Sequence, residues 1–206
     1  MAESLDRLSG GRLILGMGGG GNDAEFRAFG LPERSAREKV EALGEAVLVV
    51  QGLWSASPFT FHGRHLHTEE AEMEPKPQRR IPIWLGTYGP RALALTGRLA
   101  DGWNPSLPYL PPAEAPSKRA IVLRAAEQAG RDPAEITCAY NVSVFVREDA
   151  VERPGMVAGP PDHVARELAG FVRMGLTTLC FWARGGHETR ERLATEVIPR
   201  VRELVS

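Results

Sequence analysis

Residues 81–104 decide the fold, and they read Ile81-Pro-Ile-Trp-Leu-Gly-Thr-Tyr-Gly-Pro-Arg-Ala-Leu-Ala-Leu-Thr-Gly-Arg-Leu-Ala-Asp-Gly-Trp-Asn104. A short apolar run, residues 81–85, meets a glycine-bounded turn, and Pro90 then opens a segment whose leucines recur at helical spacing. The stretch therefore predicts a strand, a tight turn and a helix, which together form the repeating unit of parallel α/β sheets.

The turn between this strand and this helix has the chemistry of an anion site. Proline suits the first helical turn because that turn does not use its missing N–H, and the remaining amides leave the helix end partly positive. Thr87 can add a hydroxyl and Arg91 a guanidinium, while Gly86 and Gly89 let a phosphate approach the backbone. The alternative is an ordinary turn that holds no ligand, since such helix ends are common.

The remaining chain repeats the alternation of strand and helix. Strands are predicted at residues 12–16, 81–86, 102–104, 137–146 and 176–183, and helices at residues 2–9, 34–54, 90–100, 117–129, 160–174 and 188–205. Alternating apolar residues between Pro58 and Pro77 predict a β-hairpin outside the main layer, and residues 105–116 and 147–159 are predicted as loops.

Five strands that alternate with the five helices after residue 30 predict a parallel α/β sheet with right-handed crossovers, in a single domain of residues 1–206. A complete (β/α)8 or TIM barrel takes about 250 residues, and this chain supplies about five units of one. Two architectures follow from this count. The chain is either an open α/β sheet that is complete in itself or the last five units of a barrel.

Composition excludes several classes of partner. The chain is 43% hydrophobic and 25% charged, with a net charge of -1, so that it has no general attraction for nucleic acid or anionic membranes. No apolar run approaches the length of about 20 residues that spans a bilayer, and the first residues do not form a signal peptide. Cys138 and Cys180 lie far apart in β-like runs, which predicts buried free thiols in a cytoplasmic protein.

Two further motifs have a functional and a structural interpretation. The run from Gly16 to Gly21 fits G-x-G-x-x-G, but no helix opens directly after it, so that a flexible loop is favoured over a dinucleotide site. His65 and His67 would share one face of a strand in the run His62-Gly-Arg-His65-Leu-His67, where they could bind a metal ion. Because no third ligand is evident, we expect solvent-facing histidines and no metal site.

The other polar and aromatic residues give no catalytic set. Trp84, Trp103 and Trp182 are expected to pack in the core, although Trp103 and Asn104 at the end of a strand could line a pocket. Asp101 is expected to cap or pair structurally. No Ser/His/Asp or Cys/His set can be assembled from spacing, so that no catalytic residue is assigned.

Several blocks in a fixed order resemble the luciferase-like flavin-dependent monooxygenase family, which includes deazaflavin (F420)-dependent oxidoreductases. The blocks are Leu5-Asp-Arg-Leu-Ser-Gly-Gly-Arg-Leu-Ile-Leu-Gly-Met-Gly18, Asn22-Asp-Ala-Glu-Phe-Arg-Ala-Phe-Gly30, Phe61-His-Gly-Arg, Pro75-Lys-Pro77, Ile81-Pro-Ile-Trp-Leu-Gly86, Gly89-Pro-Arg-Ala-Leu93, Ala100-Asp-Gly-Trp-Asn104 and Ala194-Thr-Glu-Val-Ile-Pro199. They cover essentially the whole chain.

The resemblance implies a (β/α)8 barrel with a flavin at the carboxyl ends of its strands. It also implies that the cofactor phosphate lies on the turn after residue 85 and that two earlier glycines lie beside the flavin. The residues carried over are Gly86, Thr87, Tyr88, Gly89 and Arg91 for the phosphate, and Gly16 and Gly18 for the flavin. The expected activity is that of an oxidoreductase or monooxygenase that acts on a small organic substrate with reduced FMN or coenzyme F420.

Family members have three further strand-helix units before the Leu5 block, whereas this chain begins a few residues ahead of it. We therefore expect a partial TIM barrel of about five C-terminal units with a β-hairpin excursion. The strand at residues 12–16 would be an open edge, which predicts a homodimer or a partner chain that covers it. The alternative function is that of a truncated, non-catalytic flavin-binding protein or assembly subunit.

Overall fold

The computed structural model describes residues 1–151 and 153–206. Its strands are β1 (Leu15–Met17), β2 (Phe59–His62), β3 (His67–Ala71), β4 (Ile83–Leu85), β5 (Gly102–Trp103), β6 (Thr137–Val146), β7 (Met156–Gly159) and β8 (Thr178–Ala183). Its helices are α1 (Ala2–Leu8), α2 (Asp23–Ala28), α3 (Ala36–Ser55), α4 (Pro90–Leu99), α5 (Ala115–Gln128), α6 (Pro161–Arg173), α7 (His187–Arg192) and α8 (Ile198–Val205), with a π-helical turn, Leu193–Val197, joining the last two.

The main sheet is parallel throughout and curls into a half-barrel. Its neighbours run in the order β1, β4, β5 and β6, and the long strand β6 then pairs with β8 and, near its carboxyl end, with β7. Strands β2 and β3 form a separate antiparallel hairpin. Five successive β/α units with a hairpin excursion confirm the predicted partial barrel.

Local chemistry explains the two helices that flank the first part of the sheet. Helix α3 begins with a capping box, in which Ser35 and Glu38 satisfy each other's backbone N–H groups. Helix α4 begins at Pro90 and buries Leu93 and Leu95 against the core. The predicted helices at 34–54 and 90–100 are therefore confirmed to within two residues.

The structure differs from the sequence prediction at several elements. Strand β1 is shorter than residues 12–16 and only half-buried, because a single neighbour covers it. Helix α2, capped by Asn22, lies in a stretch predicted as irregular. Strand β7 lies in the predicted loop 147–159, of which residue 152 is outside the described residues.

Two features show an uncovered side of the half-barrel. Among residues 1–151 and 153–206, β1 pairs only with β4, and β8 pairs only with β6. Trp182 on β8 is 61% exposed, so that the prediction of a core position for this residue is wrong. The Arg184 guanidinium lies 5.0 Å from the centre of the Trp182 ring. Trp84 and Trp103 are buried as predicted.

Helix α1 turns its polar side inward. Asp6 is buried and forms two hydrogen bonds with the Arg79 guanidinium, at 2.6 and 3.0 Å, and it also accepts the Leu13 N–H. The hydrogen bonds from Arg79 lower the pKa of Asp6 below its ordinary value. Leu5 and Leu8 are 50% and 85% exposed, so that α1 presents apolar side chains to solvent.

Both cysteines are free thiols, with Cys138 buried and Cys180 half-buried. Burial raises the pKa of each thiol, which makes both poor nucleophiles. In the described part of the chain, no helix is both long and apolar enough to cross a membrane.

Helices α4 and α5 approach each other closely at Gly97. A β-carbon placed on Gly97 would lie 2.2 Å from the Val122 carbonyl oxygen and 2.8 Å from the Ala126 nitrogen. Since both neighbours are backbone atoms, Gly97→Ala must push the helices apart, and we expect it to destabilise the fold by about 1–3 kcal/mol in urea denaturation.

Gly170→Ala in α6 is the matched control for this variant, because a β-carbon there meets no atom within 4 Å. Alanine in an open helical position stabilises by about 0.5–1 kcal/mol relative to glycine. Equal urea midpoints for the two variants would contradict the packing described for Gly97.

Candidate functional site

The carboxyl ends of β1, β4 and β5 lie side by side. The Gly86 N–H donates to the Met17 carbonyl at 3.1 Å, and the Asn104 N–H donates to the Leu85 carbonyl at 2.9 Å. A β-carbon on Gly18 would lie 4.0 Å from the Gly86 carbonyl oxygen. The glycines predicted from the two separate segments are thus brought together at one edge of the sheet, where α/β proteins bind ligands.

Thr87 holds the turn between β4 and α4 in place and is buried. The Trp103 indole N–H donates to the Thr87 carbonyl at 2.9 Å, and the Thr87 hydroxyl lies 2.7 Å from the Thr96 hydroxyl. Because Thr96 donates its own proton to the Ala92 carbonyl, Thr87 must donate in this pair. The Thr87 hydroxyl therefore has no proton left for an anion, in contrast to the role predicted for its side chain.

The N-terminus of α4 offers unpaired donors. Across residues 1–151 and 153–206, no hydrogen bond reaches the backbone amides of Tyr88, Gly89, Arg91 and Ala92, and no side chain caps the helix. The Arg91 side chain is exposed. The first turn of α4 carries no acidic residue. Several N–H groups and one guanidinium thus favour a negatively charged group at this helix end.

The protein's own conformation does not require glycine at the four positions predicted to contact the cofactor. Gly16, Gly18, Gly86 and Gly89 have no positive φ, and a β-carbon on any of them would lie at least 3.5 Å from every neighbouring atom. By contrast, a β-carbon on Gly102 would lie 2.5 Å from the Trp84 ring. Gly16, Gly18 and Gly86 leave open space at the strand ends, and Gly89 leaves open space at the start of α4.

The loop after β5 closes over Tyr88. The Ser106 N–H donates to the Tyr88 hydroxyl at 3.1 Å, and the Tyr109 ring packs edge-on against Tyr88 at a centroid distance of 5.8 Å. The loop is joined to β6 through the Leu107 N–H, which donates to the Asn141 carbonyl at 3.0 Å. Tyr88 therefore fixes the loop with its side chain, because its hydroxyl oxygen accepts the Ser106 N–H.

Asn104 follows β5 at the same edge of the sheet. Its side-chain oxygen is buried and, among the described residues, accepts no hydrogen bond. A buried acceptor without a donor is costly unless a ligand or water supplies one. The pocket-lining role of Asn104 stays a prediction. Asp101 is confirmed as structural, since it pairs with Arg80 and accepts the Ile83 N–H.

A cavity of about 660 Å³ lies at the carboxyl ends of β6 and β8. Among the described residues, its charged lining consists of three arginines and one aspartate: Arg147, Arg153, Arg184 and Asp149. Sequence reasoning missed these arginines, although Arg147 and Arg184 directly follow predicted strands, which is the position that a barrel assigns to functional residues. A second cavity, of about 430 Å³, lies near the amino end of β4 beside Arg79 and Arg80.

The histidine cluster differs from the predicted pair. His67 lies opposite His62 on the hairpin, whereas His65 lies in the turn with its Nε2 atom 3.3 Å from a Glu41 carboxylate oxygen.

The glycine run 18–21 is irregular and is followed by a short helix that begins only at Asp23, so that the dinucleotide-binding interpretation is not supported.

Comparison with known proteins gives one family. The luciferase-like monooxygenase family matches residues 1–153. The F420-dependent glucose-6-phosphate dehydrogenase of Nakamurella multipartita is 25% identical over 245 residues, which cover 98% of this chain and 72% of the relative. The 5,10-methylenetetrahydromethanopterin reductase of Methanolobus tindarius is 30% identical over 169 residues, covering 78% of this chain and 50% of the relative.

A solved structure shares the fold. The F420-dependent secondary alcohol dehydrogenase in complex with an F420-acetone adduct superposes with a TM-score of 0.86 at 20% identity, covering 97% of this chain and 73% of that one. Since the family match covers more than half of the sequence and the fold agrees, the chain belongs to the luciferase-like monooxygenase family.

Proposed function

We propose that this chain is an oxidoreductase that uses coenzyme F420 or FMN to act on a small organic substrate. The family and the F420-dependent relatives support this activity. The single observation that carries the proposal for this chain's own residues is the set of unpaired amides at the start of α4, beside an exposed arginine. Both coenzymes carry a phosphate group, which is the kind of ligand such a helix end binds.

In this proposal, the turn after β4 binds the phosphate through the Gly89, Arg91 and Ala92 amides and the Arg91 guanidinium. Gly16, Gly18 and Gly86 leave room for the flavin beside the strand ends, and Thr87 and Tyr88 act by holding the turn and its covering loop. The coenzyme itself supplies the redox chemistry when bound, and the protein orients it and shields it from water.

We place the substrate in the cavity at the ends of β6 and β8. Pro108, in the loop that also covers Tyr88, lines this cavity, so that the cavity adjoins the proposed cofactor site. The three arginines and one aspartate that line it among the described residues favour a substrate with a negatively charged or strongly accepting group. We also propose a cytoplasmic location, which the two free thiols support.

Arg91→Ala tests the phosphate assignment. We expect the variant to bind FMN or F420 about tenfold to 100-fold more weakly, because a charge-assisted hydrogen bond contributes about 1.5–3 kcal/mol. Its affinity for riboflavin, or for the phosphate-free deazaflavin chromophore, is expected to stay the same. Fluorescence titration of the purified protein with each coenzyme and with its phosphate-free counterpart measures both affinities.

Arg98→Ala is the matched control, since Arg98 is exposed in the last turn of the same helix. An equal loss for both variants, or an equal loss for FMN and riboflavin, would contradict the phosphate assignment. Saturable binding without turnover of any substrate would favour the non-catalytic alternative, and absence of binding to either coenzyme would contradict both functions.

We further propose that a second copy or another chain covers the open edges of the half-barrel. Within the described residues, β1 and β8 each have one unpaired edge, and this observation supports the proposal together with the exposed side chains of Leu5, Leu8 and Trp182. Parallel sheets are normally covered, and an open strand edge is a template for pairing with another chain.

Sedimentation equilibrium of the purified chain at micromolar concentration checks for this partner. We expect a dimer, because each copy exposes strand edges and apolar side chains that a second copy can cover. A well-folded monomer under these conditions would contradict self-association.

A further inference from the structure

The β2–β3 hairpin presents three metal-ligating side chains on its outer face. His62 and His67 are directly opposite each other in the antiparallel register. Residues two apart on a strand share a face, so that Glu69 lies on the same side as His67. Phe59 and Phe61 alternate with the exposed residues and are half-buried.

The three side chains lie at the spacing of ligands around one ion. The Nε2 atom of each histidine is 3.6 Å from the same Glu69 carboxylate oxygen, which makes Nε2, Nε2 and this oxygen the candidate ligand atoms. The Nδ1 atoms of the two rings are 3.1 Å apart, which is a separate contact between the histidines. One donor atom from each residue lies within 4.8 Å of the other two. Ligands around a tetrahedral zinc ion with bonds of about 2.0–2.1 Å are roughly 3.3 Å apart.

The charges around this cluster favour a cation. In the part of the chain that the structure describes, the only basic side chains within 4.0 Å of the Glu69 carboxylate are His62 and His67, so that no lysine or arginine competes for it. Glutamates 69, 70, 72 and 74 are all exposed along this segment. The three side chains are 58–65% exposed, which lets an ion enter without unfolding and leaves a coordination position for water.

The hairpin that carries the cluster is held firmly against α3. The Glu45 carboxylate accepts the N–H groups of Arg64, His65 and Leu66 at 2.8–2.9 Å. Burial raises the pKa of Glu45, but the three N–H donors lower it more, so that its pKa lies below the ordinary value and the anchor stays charged at neutral pH. A ligand set on a fixed scaffold loses less entropy when it binds an ion.

We propose that His62, His67 and Glu69 bind one divalent transition-metal ion, with water as the fourth ligand. Two imidazoles and one carboxylate suit Zn²⁺, and Ni²⁺ and Cu²⁺ also accept such ligands. The bound ion joins the two strands across the hairpin. The site is separate from the strand ends where the cofactor is proposed to bind, and it does not depend on that proposal.

Calorimetric titration of the tag-free full chain with Zn²⁺ in a non-chelating buffer tests the site. We expect one equivalent to bind saturably. His62→Asn and His67→Asn each remove a direct ligand and are expected to weaken binding about 100-fold, since even outer-shell partners contribute about 10- to 100-fold. Glu69→Gln is expected to weaken it about tenfold or more.

His187→Asn is the matched control. His187 is also an exposed histidine beside a glutamate, with its Nδ1 atom 3.7 Å from Glu191, but among the described residues it belongs to no group of three ligands. The control is expected to bind Zn²⁺ like the unaltered chain. No saturable binding at one equivalent, or unaltered affinity in both His62→Asn and His67→Asn, would overturn the proposal.

Discussion

Alignment of the carboxyl ends of β1, β4 and β5 is the constraint on which the candidate site depends. The Gly86 N–H bound to the Met17 carbonyl sets the end of β4 against β1, and the Trp103 indole bound to the Thr87 carbonyl sets the following turn against β5. With the turn held from both sides, the first amides of α4 have no hydrogen-bond partner within the described part of the chain. Donors fixed before a ligand arrives bind an anion with little further ordering.

The turn itself could be predicted because its chemistry is local. Glycines, a proline at the first helical position and leucines at helical spacing all lie within one stretch, so that strand, turn and helix follow from neighbours along the chain. The orientation of Thr87 could not be predicted in this way. This orientation depends on Thr96, which lies within α4, and on Trp103, which lies on the next strand, β5. Only the folded chain brings these residues to Thr87.

The elements that the sequence prediction missed depend on distant partners. Strand β7 has four residues inside a polar stretch, and it exists because Met156–Gly159 pair with the far end of β6. Trp182 follows the apolar pattern of a buried strand, yet its strand is at an edge of the sheet and no described element covers it. Likewise, helix α1 turns inward by its polar side because Arg79, more than 70 positions later, pairs with Asp6.

In the proposed function, the amides at the start of α4 bind the phosphate of the coenzyme. Two-dimensional ¹H–¹⁵N NMR spectra of the chain, recorded while FMN or F420 is added to saturation, test this assignment residue by residue. We predict that the amide resonances of Gly89, Arg91 and Ala92 shift most, because these protons would form new charge-assisted hydrogen bonds. Saturable binding that leaves these resonances in place and instead shifts those near Arg79 and Arg80, at the amino end of β4, would contradict it.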